Sequence, residues 1–156
     1  MLIAGRGQAG ERGSVAVFTV VFALAVVFLI ALILDGGVAM NARERAADIA
    51  EQAARAAADN IDVATLRGTG KAAIGPGACP VAANLVASYA SGARVGVDTV
   101  TAATMNSCSA PVGARTATIQ VTIRTRPLVP GVFGGFTETA QASATAECGI
   151  NQGVAC

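Results

Sequence analysis

Residues 15–34 read VAVFTVVFALAVVFLIALIL, twenty positions without a charged side chain. At about 1.5 Å per residue, a helix of this length measures roughly 30 Å, the thickness of a bilayer's hydrocarbon core. Fifteen of the twenty are Val, Leu, Ile or Phe. At roughly −0.3 to −0.6 kcal/mol each they give on the order of −6 kcal/mol for insertion. Thr19, the sole polar side chain, can bond back to its own helix. Arg12 stands before the run and Asp35 after it. The stretch is therefore expected to span a membrane, and the rest of the chain is what it tethers.

Two readings of such a segment compete, a cleaved secretory signal and a retained anchor. A signal carries about 7–15 apolar residues and then a small-x-small cleavage site. This run is longer, and Asp35-Gly36-Gly37 leads without a turn into VAMNARERAADIAEQAARAAADN, which reads as further helix. A retained anchor is the expectation, and cleavage near Ala39 or Ala42 is the alternative. Arg6 and Arg12 precede the span while Arg43 and Arg45 follow it soon after, so loop charge orients it weakly.

Cysteine usage orients it better. Cys79, Cys108, Cys148 and Cys156 all follow the span. An even number in a small domain points to two disulfides and an oxidising, extracytoplasmic location. Three pairings exist, and Cys79–Cys108 with Cys148–Cys156 is favoured. The first closes a loop of about 30 residues, worth roughly 3.5 kcal/mol in the chain-entropy picture. With no C-x-x-C pair and no histidine, a zinc site is not expected. The N-terminus is thus expected inside and the domain outside.

Composition narrows the function. Charged residues are 13%, hydrophobic residues 53%, aromatics 4%, and the net charge is +1. A general nucleic-acid binder needs a basic excess to neutralise phosphates, so nucleic acid is not an expected partner. Without histidine, Ser-His-Asp and Cys-His catalysis are excluded. Lys71 lies in GTGKA, but a Walker A loop needs Gly where Thr65 stands and a preceding strand. Asp98, Glu138 and Glu147 are isolated carboxylates with no spacing suited to acid–base pairing. Arg115, Arg124 and Arg126 read as a solvated strand face. No enzyme, cofactor, metal or small-molecule substrate is expected.

The chain divides into a leader (1–13, Gly-rich), a transmembrane helix (14–35), an Ala-rich juxtamembrane helix (36–60) and an extracytoplasmic α+β head (61–156). On the second helix Ala39, Ala42, Ala46, Ala50, Ala53 and Ala57 share a stripe, with Ile49 and Ala56 beside it. Arg43, Glu44, Arg45, Asp48, Glu51 and Arg55 lie opposite. Glu51 and Arg55 are spaced to pair. A small-residue stripe buries little area but permits close approach, either to the chain's own head or to partner helices. Asp62 is placed to cap a turn reaching Arg67. A helix is expected over 79–91, with Pro80 in its first turn and Val81, Leu85 and Tyr89 on one face. Strands are expected over 94–104 (with a bulge between Val97 and Val100), 115–126 and 137–147. The second alternates cleanly, with Ala117, Ile119, Val121 and Ile123 on one side. The third shows Ala140, Ala142, Ala144 and Ala146 on one side, which suits a closely packed helix.

The expected fold is therefore α+β, a long N-terminal helix packed on a small antiparallel sheet of about three strands. The loop PLVPGVFGGF (127–136) holds Leu128, Val132, Phe133 and Phe136, either as a plug for the core or as an exposed contact tip for lipid or a partner.

The order of parts carries a resemblance. Glu11-Arg12-Gly13-Ser14, the single apolar helix, Asp35-Gly36-Gly37 and NARERAADIAEQAARAAA (41–58) together resemble the N-terminal region of TadE/TadG-like proteins of the tight-adherence (Flp-type) pilus. RAADIAEQAARAAA is the most specific part. The resemblance implies a pilin-like, membrane-anchored minor pilin or assembly factor at a bacterial cell membrane or in a surface pilus. It also implies work with an export ATPase, a platform membrane protein and other pilins through helix packing. Two features set this chain apart. A prepilin-peptidase site keyed to Glu11 would place Gly where Arg6 stands, and no acid lies at the start of the apolar helix. The reading from another class is a membrane-tethered binding or sensing module unrelated to pili.

Overall fold

A computed structural model describes residues 11–92, 100–126 and 135–147. One helix, α1 (Glu11–Ala58), runs unbroken for 48 residues, about 72 Å of rise. Asp35-Gly36-Gly37 does not interrupt it. Thr19 Oγ1 donates to the Val15 carbonyl at 2.9 Å, so its polar group is satisfied within the helix. Further along, Arg55 pairs with Glu51 one turn back.

Two environments divide α1. Every side chain over 15–30 is exposed. From Ala31 onward one face becomes covered, and Ala42, Ala46, Ile49, Ala50, Ala53, Ala54, Ala57 and Ala58 are buried. What covers them is the sheet and a third helix.

The chain leaves α1 through a narrow crossing. Gly75 N–H donates to the Asn60 carbonyl at 2.7 Å and Asp62 N–H to the Ala73 carbonyl at 2.8 Å, around an isolated bridge between Ile61 and Ile74. A Cβ on Gly75 would meet Asn60 Oδ1 at 3.0 Å and the Asn60 carbonyl oxygen at 3.2 Å, so a side chain there fits only if Asn60 gives way. Between its two limbs stands α2 (Val63–Thr69), capped by Asp62 and ended by Gly70 at φ 73°, in the left-handed region usual after a helix.

Helix α3 (Ala78–Gly92) buries Ala78, Ala82 and Val86, with Leu85 and Tyr89 half-buried against the core. It packs on α1 and on the first strand, and the Tyr89 hydroxyl donates to Gln52 Oε1 of α1. Three strands follow, β1 (Val100–Ser109), β2 (Thr116–Thr125) and β3 (Phe136–Thr145). They form an antiparallel sheet in the order β1-β2-β3. The central strand turns Ala117, Ile119, Val121 and Ile123 inward, all fully buried, and α1 lies across β2 and β3. The fold is α+β, a long N-terminal helix on a three-stranded sheet.

Three details differ from the sequence reading. Val81 does not share the inner face of α3. It is 40% exposed, because the buried positions advance by fours from Ala78 through Ala82 to Val86, a quarter-turn away. The first strand runs on to Ser109 instead of ending at 104, and residues 94–99 of the expected range, with Val97, lie outside the described residues. Its irregularities lie between Val100 and Ala102 and between Met105 and Ser107. Thirdly, the span read as 14–35 is not bare throughout: Ala31 and Asp35 are buried, and Phe136 at the start of β3 lies beside Asp35.

Candidate interaction surfaces of the helix and the head

The alanine stripe is consumed inside the head. Ala42, Ala46, Ala50, Ala53 and Ala57 are 0–2% exposed and Ala39 is half-buried. Ala140, Ala142 and Ala144 of β3 pack against the same cluster. Facing methyl groups let the helix axis lie close to the strand, so alanine here serves intramolecular close packing. From Ala42 to Ala57 the stripe is covered by the chain's own sheet and α3, while Ala39 stays partly open.

Cys79, in the first turn of α3, is bonded to Cys108 of β1, with a Cα–Cα distance of 5.9 Å. The bond ties α3 to the outer strand of the sheet. Cys148 and Cys156 lie outside the described residues, as do Leu128, Val132 and Phe133 of the candidate contact loop.

Phe136 opens β3, opposite Thr125. With Leu32, Asp35 and Gly36 it lines a small cavity of about 120 Å³ at the base of the head. Asp35 is 1% exposed and Thr125 3%, and Thr125 Oγ1 has no hydrogen-bond partner. Sequence reasoning missed this joint. Asp35 was read as the charge that closes the span, whereas it faces the head. The available signal was its spacing from Ala31 and Ala42, which puts all three on one helical face.

The outer face of the sheet is polar and nearly uncharged. Thr118 Oγ1 and Ser143 Oγ lie 2.9 Å apart, and Thr122 Oγ1 and Thr139 Oγ1 2.7 Å. Asn106 Nδ2 donates to Thr122 Oγ1 at 2.6 Å. Such cross-strand pairs hold strand register. Asp62 accepts from Thr65 Oγ1 at 2.6 Å and from Ala64 N–H at 3.0 Å. The Thr65 bonds, with that from Ala64, hold its carboxyl below the usual carboxylate range against a small opposing effect of desolvation. Among the described residues no three His, Cys, Asp or Glu side chains converge as a metal site.

These features define a class: an α+β head carried on one helix whose exposed part is apolar and long enough to cross a bilayer. Residues 13–60 match the family described as "Putative Flp pilus-assembly TadE/G-like". The matched segment covers nearly all of α1, so the likeness to that family lies in the long helix, and the head lies beyond the match. No curated protein matches the chain. No solved structure matches it.

Proposed function

We propose that this chain is a membrane-anchored component of Flp-type pilus assembly, a minor pilin or an assembly factor that works by helix packing and not by catalysis. The observation that carries the reading is α1 itself. It is one rod, bare and apolar over 15–30 and seated on a sheet above, and it coincides with the TadE/G-like segment. With the core alanines engaged by the head, the surface left for other pilins or a platform protein is the bare span. There Ala16, Ala23 and Ala25 interrupt the larger residues, and small residues permit close helix approach in lipid.

In this reading residues 1–13 are the cytoplasmic leader, 14–35 the transmembrane helix, 36–60 the juxtamembrane helix and 61–156 the extracytoplasmic head. The Cys79–Cys108 bond supports placing the head in an oxidising compartment. The test is genetic and biochemical together. Deleting the gene should abolish or sharply reduce surface pili, and cross-linking through the span should recover pilins or a platform protein. Normal piliation in the deletion strain would end the reading.

A further inference from the structure

We infer that the lipid contact of α1 does not stop where the apolar run stops: on the side away from the head it continues through Met40, so the base of the head rests in the outer headgroup layer. The inference rests on the membrane anchoring proposed above and deepens it.

The argument starts from where charge is displayed. Asp35 ends the apolar run in the sequence, yet it is 1% exposed and so presents no charge at the helix surface. At 100° per residue, Ile33, Gly37 and Met40 fall on the opposite face, in line with Phe22 and Val26 below. Ile33 is 72% exposed and Met40 76%, and a Cβ on Gly36 or Gly37 would meet nothing within 4 Å. The helix therefore shows one continuous uncharged surface from Val15 to Met40. Only above it do exposed Asn41, Arg43 and Glu44 bring polar groups.

Length then decides where Met40 lies. From Val15 to Met40 the rise is about 38 Å, against a hydrocarbon core of about 30 Å and about 40–45 Å with both headgroup layers. With Val15 at the inner hydrocarbon boundary, Met40 lies about 8 Å above the outer one when the helix stands upright. A lean of about 20°, ordinary for spanning helices, toward the head-free side lowers it into the headgroup layer. The Cα–Cβ bonds of a helix also tilt toward its N-terminus, which directs the Met40 side chain toward the bilayer. Lipid is the occupant this surface fits, because the patch is continuous with the span and carries no charged or hydrogen-bonding anchor for a protein.

The chain contains no tryptophan, so single-tryptophan variants report depth cleanly. Leu29→Trp, Met40→Trp and Ala47→Trp place reporters along this same face. Each full-length variant is reconstituted in phosphatidylcholine–phosphatidylglycerol vesicles holding lipids brominated either mid-chain or near the carbonyl. Position 29 should be quenched most by mid-chain bromine. Position 40 should be blue-shifted and quenched most by carbonyl-level bromine. Position 47 should show water-like emission and no quenching. Water-like, unquenched emission at 40 with position 29 quenched overturns the inference and leaves the anchor standing. Unquenched emission at both 29 and 40 overturns the anchor as well. A blue shift at 40 that lipid bromine does not quench, and that fades as the protein is diluted in lipid, assigns the patch to a second copy and also overturns the inference.

Discussion

Asp62 shows how one exposed carboxylate organises a local structure. Its side chain accepts from Thr65 Oγ1 and Ala64 N–H, satisfying donors that the start of α2 leaves open. α2 has no buried residue, so its caps and the Ile61–Ile74 crossing carry much of what holds it. The Thr65 bonds lower the folded-state affinity of Asp62 for a proton. A group so shifted stabilises above its unfolded pKa, about 3.9 for Asp, and the contribution is lost as pH falls through the lower folded value. Amide exchange of residues 64–70 should therefore accelerate, relative to the rest of the head, on acidification below about pH 4. Asp62→Asn should keep the cap and abolish that pH dependence, whereas Asp62→Ala should fray α2 at every pH. Equal protection of α2 in wild type and Asp62→Ala would show the cap to be idle. Gly75 makes a second case at this scale. Gly75→Ala forces its methyl onto Asn60, and the crossing should loosen by about 1–3 kcal/mol in chemical unfolding.

Elements were legible where one face is buried and one is wet. β2 alternates without a break, so Ala117, Ile119, Val121 and Ile123 announced themselves as core. β3 and α1 declared their contact through matching alanines, since only small side chains on both surfaces permit that approach. Ala54 and Ala58 were missed because the sheet and α3 together cover a wider arc of α1 than one stripe. Val81 misled for a related reason: an apolar residue at helical spacing from Leu85 and Tyr89 says nothing about which arc a neighbour occupies. Two predictions belong here. Ala50→Leu inserts bulk at a fully buried contact between α1 and the sheet and should destabilise the head by about 1–3 kcal/mol. Ala47→Leu, on the exposed side, should change stability by less than about 0.5 kcal/mol. Similar unfolding midpoints for the two would refute the packing of α1 on the sheet. Replacing Cys79 and Cys108 with Ser frees a loop spanning 29 positions and should cost about 3.5 kcal/mol, with α3 and β1 separating first in hydrogen exchange.

At the scale of the whole molecule, α1 is, among the described residues, the element shared by the two environments, and that makes location and oxidation state a single question. The apolar run was legible from composition alone, because lipid asks only for length and absence of charge. The joint at Asp35 was not, because burial of one carboxylate depends on where a strand 100 residues later ends. The coupling can be tested through the head's own chemistry. Leu24 and Val27 lie near the middle of the run and are 65% and 64% exposed, so neither supports the head. Arg at either costs roughly 3 kcal/mol for insertion, and both together cost about as much as the whole run gains, on the order of 6 kcal/mol. The double variant L24R/V27R should therefore leave the membrane fraction, while either single variant stays partly inserted. A head that is never exported remains among reduced thiols. Cys79 and Cys108 should then react with alkylating agents without prior reduction, while the wild type does not. A double variant found in the soluble fraction with the Cys79–Cys108 bond intact would mean that the head is exported without the span, and the anchored topology would have to be abandoned.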